Sequence, residues 1–365
     1  MEILTSTGAL ADPGQAAVER AIAELRAGRP VWLEDGRRSA LVVGVEALSA
    51  PLARALDALG GERRLVLSAP RLRRLGLDAD AAGTIALPSP MNAERVQALA
   101  LDPEARLEQP AAPASEIEQA ALELAKIALI LPAVVAVATS GEPDRNLLRV
   151  GVADVQNYRR AATASLRMVG RAPVPLEEAG ACEFVVFRGG EGLRDQVAII
   201  VGRPDMAKPV AVRLHSACLT GDLFGSLKCD CGDQLRHTVR WMASNDGGVL
   251  LYLDQEGRGA GIANKMRAYK LQSEGLDTYD ADETLGFEFD QRRYDFAAEM
   301  LRQVGVSRVR ILTNNPQKME AMRRAGLDVV AEQRVNGRPT AENEKYLASK
   351  RDRGGHLIEI GSLVP

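Results

Sequence analysis

Between His215 and His237 the chain reads HSACLTGDLFGSLKCDCGDQLRH, and this stretch holds three of its four cysteines and two of its three histidines. Cys218, Cys229 and Cys231 follow a C-x10-C-x-C spacing. Thiolates suit a soft, four-coordinate ion such as zinc. Structural zinc sites close the shell with four protein ligands, whereas catalytic ones keep a position open for water. Three thiols with no fourth cysteine nearby favour the open, catalytic arrangement. Cys182, far upstream on an expected strand, reads as an ordinary buried thiol. His215 or His237 could still close the shell, although His237, beside Arg236 and on the helix face away from Leu235, reads as solvent-exposed. The remaining alternative is that the cysteines are unrelated core residues.

Other groups downstream could do chemistry, each with a plainer reading beside it. The turn EGRG (Glu256–Gly259) offers backbone amides and a forked guanidinium, which suit phosphate oxygens, but a glycine-flanked arginine is usually a surface turn. In NNPQK, Pro316 opens a helix whose free amides could attract an anion; alone it reads as a capped helix. Asp290 and Arg292 in DQRRY read alone as an exposed ion pair on a turn. Tyr269 in RAYKLQ is either packed against a core or free to steer water.

The elements that must position these groups alternate. EFVVFR, QVAIIVG, PVAVRLH, GGVLLYL, RVRILTNN and DVVAEQRV read as strands. CGDQLRHTVRWMAS, GIANKMRAYKLQSEG, RRYDFAAEMLRQVGV and PQKMEAMRRAGL read as helices. The first half also reads as α/β. GQAAVERAIAELRAGR places Ala17, Ile22 and Leu25 on one helical face, with Gly28 as a stop. PVWLE and ALVVGV read as strands around a Gly36 turn. PASEIEQAALELAKIALIL is a helix opening near Ser115 and ended by Pro132, followed by the buried strand AVVAV. EQPAAPA reads as a loop. The fold class is mixed α/β with two domains, 1–165 and 166–365, and the boundary lies near the basic, helix-like stretch Tyr158–Pro175.

Composition sets outer limits. The chain has 365 residues, net charge −3, 46% apolar and 26% charged residues, the balance of a globular protein. The acidic net charge argues against nucleic acid as a partner. Four cysteines are too few for a disulfide framework. The N-terminal MEILTSTGALADPGQ lacks the pattern of a signal peptide. The longest apolar run, Ile127–Ala138, is too short to span a bilayer. A reducing cytoplasm is the expected setting. No histidine precedes His215 and no cysteine precedes Cys182, so the first half lacks the residues that most often bind transition metals or move protons.

Taken in order, RLHSACLTGD, DQEGRGAGI, KMRAYKLQ, LGFEFDQRRYDF, LTNNPQKMEAM and a final GGHL resemble GTP cyclohydrolase II, from about Glu178 to His356. The resemblance implies hydrolysis of the guanine imidazole ring of GTP, release of carbon 8 as formate, and loss of pyrophosphate. The implied product is 2,5-diamino-6-ribosylamino-4(3H)-pyrimidinone 5′-phosphate, the first intermediate of riboflavin biosynthesis. It implies one zinc per chain on Cys218, Cys229 and Cys231, magnesium with the nucleotide phosphates, and a homodimer. Zinc would supply a water nucleophile at neutral pH. Arg213, Gln234, Glu256, Gly257, Arg258, Thr278, Thr313 and Lys318 match nucleotide-contact positions. Asp290 matches a general base, Arg292 a proposed nucleophile, and Tyr269 a tyrosine near the attacking water. Arginine is a poor nucleophile, with a pKa above ~12, and stabilisation of transition-state charge meets the same need. Two departures stand out: Ala217 where many members have Glu, and Asp254 where many have Arg.

The first half resembles 3,4-dihydroxy-2-butanone-4-phosphate synthase in outline, through AIAELRAGRPVWLED, ALELAKIALILPAVVAVA and VGVADVQNYRR. Its chemistry is missing. GRRSALVV stands where that family has an acid-rich metal loop, and the family's histidine and strand glutamate fall near Ile117 and Ala138. The expectation is an inactive, degenerate domain retained for folding, dimerisation or regulation. Two further readings of the whole chain stay open: a sister enzyme acting on another nucleotide, and a non-catalytic, zinc-braced nucleotide sensor.

Overall fold

The computed structural model describes residues 12–335 except 108, 142, 143, 191–193 and 289, and also 351 and 352. The N-terminal stretch read for a signal and the final GGHL lie outside the described residues. Two compact units are present. Unit 1 is Met1–Ala161 with Ala263–Gln291, and unit 2 is Ala162–Ile262 with Arg292–Pro365.

Unit 1 opens with α1 (Pro13–Arg26), capped by the Asp12 side chain on the Gly14 N–H. Val18, Ala21, Ile22 and Leu25 form its buried stripe; the expected Ala17 is only half-buried. Gly28, at φ 75°, takes the left-handed turn that ends it. Next come β1 (Val31–Glu34), β2 (Ser39–Gly44), α2 (Ala50–Ala58), β3 (Arg63–Leu67), α3 (Ala69–Arg74), β4 (Gly83–Ala86), α4 (Ala93–Leu101), β5 (Ala112–Pro113), α5 (Glu116–Ile127), β6 (Ala133–Thr139), β7 (Arg149–Gly151) and α6 (Val152–Ala164). The sheet order is β5-β4-β3-β6-β2-β1-β7, antiparallel except for the β1–β7 pair. Ser115 and Glu118 close a capping box on α5. That helix stops at Ile127 rather than at Pro132, because Leu129 turns left-handed at φ 58°. The expected loop EQPAAPA contributes the short strand β5 at the sheet edge.

Unit 2 is built on β8 (Arg167–Pro173), β9 (Cys182–Arg188), β10 (Gln196–Val201), β11 (Val210–Ser216), α7 (Cys231–Ala243) and β12 (Gly248–Leu253). The chain leaves this unit through α8 (Ile262–Ser273) and α9 (Thr278–Thr284). It returns with α10 (Asp295–Gln303), β13 (Arg308–Leu312), α11 (Pro316–Arg324) and β14 (Asp328–Gln333). The sheet order is β14-β13-β11-β12-β10-β9-β8. β12, β11, β13 and β14 are parallel, and β8, β9 and β10 add antiparallel strands. Residues 167–173, expected as part of a helix-like stretch, are strand: pairing with β9 outweighs their local preference.

Alternation along β11 sends Val210, Val212 and Leu214 into a core with Phe187, Phe296, Leu301 and Met322. Ala211 packs on the other side with Val239 and Met242 of α7. Arg213 and His215 therefore share the α7 side of the sheet.

The segment 263–291, expected inside the second domain, groups with unit 1. The reason is buried polar pairing. Arg71 donates to the Thr284 carbonyl at 3.0 Å and the Ser68 hydroxyl to that of Gly286 at 2.6 Å. Arg267 donates to both carboxylate oxygens of Glu46 at 2.9 and 3.0 Å.

Candidate active site

Parallel pairing brings three loops to one edge of the unit 2 sheet. Residues 217–230 follow β11, residues 254–261 follow β12, and residues 313–315 follow β13. The register sets Ser216 opposite Leu253 and Val212 opposite Ile311, so these carboxyl ends align. Ligands of open α/β sheets bind at this edge.

Cys218, Cys229 and Cys231 converge there, their sulfurs all within 4.8 Å of one another. Cys218 and Cys229 are buried and 3.7 Å apart; Cys231 is half-buried and opens α7. Directly after Cys218 a π-helical turn, Leu219–Leu223, wraps the chain around the sulfurs, a local irregularity common at functional sites. A Cβ at Gly221 would stand 2.6 Å from the Cys229 sulfur and 3.1 Å from that of Cys218. The neighbouring Cys218 is the leading cause pushing the Cys229 thiol pKa up. Sulfurs gathered this closely cannot all ionise without a cation among them, so the donor set fits a soft metal ion. Among the described residues, these cysteines are the one such group of potential ligands.

Neither histidine is part of that group. His237 is exposed, as its place on the helix implied. His215 is 3% exposed and sits 3.1 Å from each oxygen of Asp222. Burial lowers its pKa and keeps the ring neutral.

Three cations gather at the same sheet edge. Arg213 is buried, donating to the Leu312 carbonyl at 2.9 Å and to Gln234 at 2.5 Å. Burial lowers its pKa despite the nearby carboxylate of Asp230. Lys318 donates to the Leu214 carbonyl at 2.8 Å, and its ammonium lies 5.5 Å from the Tyr294 ring centre. The Arg292 guanidinium lies 5.9 Å from the same ring and reaches Ser216 Oγ at 3.5 Å. Two cations on one aromatic, and three at one strand end, form a setting that suits an anion.

The EGRG turn is strained: Gly257 has φ 61° and Arg258, a non-glycine, φ 58°. Glu256 is buried, and its carboxylate accepts the Leu219 N–H at 2.6 Å and the Gly257 N–H at 3.2 Å. It thus ties the loop after β11 to the EGRG turn, and each carboxylate oxygen keeps a lone pair beyond these two bonds. At NNPQK the Asn315 side chain already accepts the Gln317 N–H, so the amides there are not all free. Thr313 Oγ1 accepts the Asn315 N–H at 3.1 Å. Asp254, where the family often has arginine, receives Arg194 at 2.8 Å, which returns a guanidinium to that place.

The remaining expected site residues belong to unit 1. Tyr269 is half-buried on α8 with the Lys265 ammonium 5.5 Å from its ring. Thr278 begins α9, and Asp290 lies in the loop just before unit 2 resumes at Arg292. Sequence reasoning gave no role to Gly221, Asp222 or Gly232, although Gly221 and Asp222 close the motif RLHSACLTGD and Gly232 follows Cys231.

The family model for GTP cyclohydrolase II matches residues 167–334. The GTP cyclohydrolase-2 of Xylella fastidiosa strain Temecula1 is 45% identical over 357 residues, spanning 95% of this chain and 88% of that protein. That of Azospirillum brasilense is 42% identical over 363 residues, 94% of each chain. A shorter GTP cyclohydrolase-2 from Haemophilus influenzae strain PittGG is 42% identical over 196 residues, 53% of this chain and 90% of that protein. Likeness at this level along nearly the whole length, with three thiols converging at the sheet edge where the family motifs fall, places this chain in the GTP cyclohydrolase II family.

Proposed function

We propose that the protein hydrolyses GTP to 2,5-diamino-6-ribosylamino-4(3H)-pyrimidinone 5′-phosphate, formate and pyrophosphate, at a zinc centre held by Cys218, Cys229 and Cys231. The observation that carries this reading is the convergence of the three sulfurs at the sheet edge where Arg213, Arg292 and Lys318 also gather. When bound, zinc supplies the Lewis acidity that makes water a nucleophile at neutral pH.

The chain's own residues do the rest. Lys318 and Arg258 take the phosphate oxygens, with magnesium shared by the nucleotide. Arg213, locked internally, holds Gln234 and adds its charge from below. Arg292 meets charge as it develops at the α-phosphorus, with Asp290 as proton acceptor. Tyr269 orients the attacking water. Glu256, Gly257, Thr278 and Thr313 complete the nucleotide contacts. The enzyme acts as a cytoplasmic homodimer. Among the described residues no helix is long and apolar enough to cross a membrane. The first half acts as an inactive, synthase-like domain, in keeping with a shorter relative that spans only 53% of this chain.

The test is to give purified protein GTP and magnesium, measure formate and pyrophosphate, and quantify zinc on the same sample. Both products with one zinc per chain are expected. Zinc without turnover would point instead to a sister enzyme or a sensor.

A further inference from the structure

Asp222 is bonded to Cys218 in both directions. Its N–H donates to the Cys218 carbonyl at 2.7 Å, and its Oδ2 accepts the Cys218 N–H at 2.9 Å. The same oxygen accepts the Tyr252 hydroxyl at 2.9 Å. His215 Nε2 lies 3.1 Å from both carboxylate oxygens, and its ring stacks on Tyr252 with centroids 5.6 Å apart and planes at 16°. The side chains of His215 and Asp222 are 3% and 7% exposed.

Burying a carboxylate is costly unless donors surround it, and here they converge from three elements. His215 and Tyr252 are register partners on the parallel strands β11 and β12, so the support is anchored in the sheet rather than in the loop. Nothing in the proposed chemistry needs Asp222 to touch substrate. What it does touch is the backbone of the first thiol in the cluster. Losing a group that fixes the orientation of a metal ligand typically costs roughly 10- to 100-fold in metal affinity.

We infer that Asp222 is the positioning residue of the metal centre: braced by His215 and Tyr252, it fixes the Cys218 backbone so that its sulfur meets those of Cys229 and Cys231. The inference rests on the metal-site reading above. Asp222 acts through Cys218 alone, and Tyr252 and His215 act through Asp222.

The test uses the full chain, stripped of metal and titrated with Zn²⁺ against a competing chelator, and with Co²⁺ while the thiolate-to-cobalt charge-transfer bands are followed. Asp222→Asn is expected to weaken Zn²⁺ binding roughly 10- to 100-fold and to shift or diminish the cobalt bands. Tyr252→Phe, which keeps the stacked ring and removes one donor, is expected to have a smaller effect in the same direction. Circular dichroism and thermal unfolding of the metal-free variants check that the fold is kept. Folded variants with parental Zn²⁺ affinity and parental cobalt bands would overturn the inference. Should Asp222→Asn not fold, Tyr252→Phe decides by the same two readouts. A parent protein that binds neither ion overturns the metal reading, and this inference with it, a result distinct from a metal-binding parent with unaffected variants.

Discussion

Gly221 and Gly232 approach so closely that a Cβ on Gly232 would lie 2.3 Å from the Gly221 carbonyl oxygen. The contact seats the π-helical turn on the first turn of α7 and so brings Cys218 against Cys229 and Cys231. A side chain at Gly221 would instead enter the space between the sulfurs. Gly221→Ala is therefore expected to reduce zinc content roughly tenfold or more, with β11 and β12 left intact. Metal analysis of the purified variant checks this, and full zinc occupancy would refute it.

Removing the metal separates a catalytic from a bracing role. Unit 2 has its own apolar core around Phe187, Phe296, Leu301 and Ile311, and none of the three clustered cysteines belongs to it. Its fold therefore has support independent of an ion. Chelation, or Cys229→Ser, is expected to abolish formate release while thermal unfolding shifts by only a few degrees. A collapse of the unfolding transition on chelation would show that the metal braces the fold.

Arg292 bonds Ser216 and lies over Tyr294, a setting that holds a fixed positive charge. Arg292→Ala is expected to lower kcat by roughly 10²- to 10³-fold, the range for losing one donor to developing charge, with zinc content unchanged. Arg292→Lys retains the charge without the fork and is expected to recover part of that loss. Complete inactivity of the lysine variant, together with a covalent nucleotide adduct on the parent protein, would instead support the nucleophilic role.

The first half is expected to form no dihydroxybutanone phosphate from ribulose 5-phosphate, with or without magnesium. Such a rearrangement needs acidic groups to hold a divalent ion, and GRRSALVV, where the sequence resemblance would put them, has no carboxylate. Detection of product by the purified chain would overturn this.

Much of this was legible in the sequence, and the misses have physical causes. α7, β11 and β13 carry clear periodicity and β12 a continuous apolar run, all close to their expected bounds, and the cysteine spacing pointed to sulfurs that do converge. The excursion of 263–291 into unit 1 depends on pairs such as Arg71 with Thr284, far apart in sequence and each unremarkable locally. The stop of α5 is set by a left-handed leucine, which no propensity favours. Arg213 and Glu256 matched contact positions, but their present bonds to Leu312, Gln234, Leu219 and Gly257 exist only once the sheet edge has formed.

Arg71 supplies the last prediction. Arg71 is 1% exposed, and its guanidinium donates to the carbonyls of Leu99, Ala98, Asp102 and Thr284 at 2.8, 3.2, 2.7 and 3.0 Å. It closes the carboxyl ends of α4 and α9 together, where a cation is favoured. Burial pulls its pKa down to about 10, so it stays protonated at neutral pH. Because the folded value lies below the unfolded one, stability would rise with pH only from about pH 10 upward, and should be flat in this group below that. Arg71→Met keeps the bulk and leaves buried carbonyls without donors, at a cost of roughly 3 kcal/mol. Unit 1 should unfold at lower temperature by the same margin at pH 6 and pH 9, and amides of α9 should exchange faster. A variant whose unfolding and exchange match the parent would show that these four bonds contribute nothing to the seating of α9.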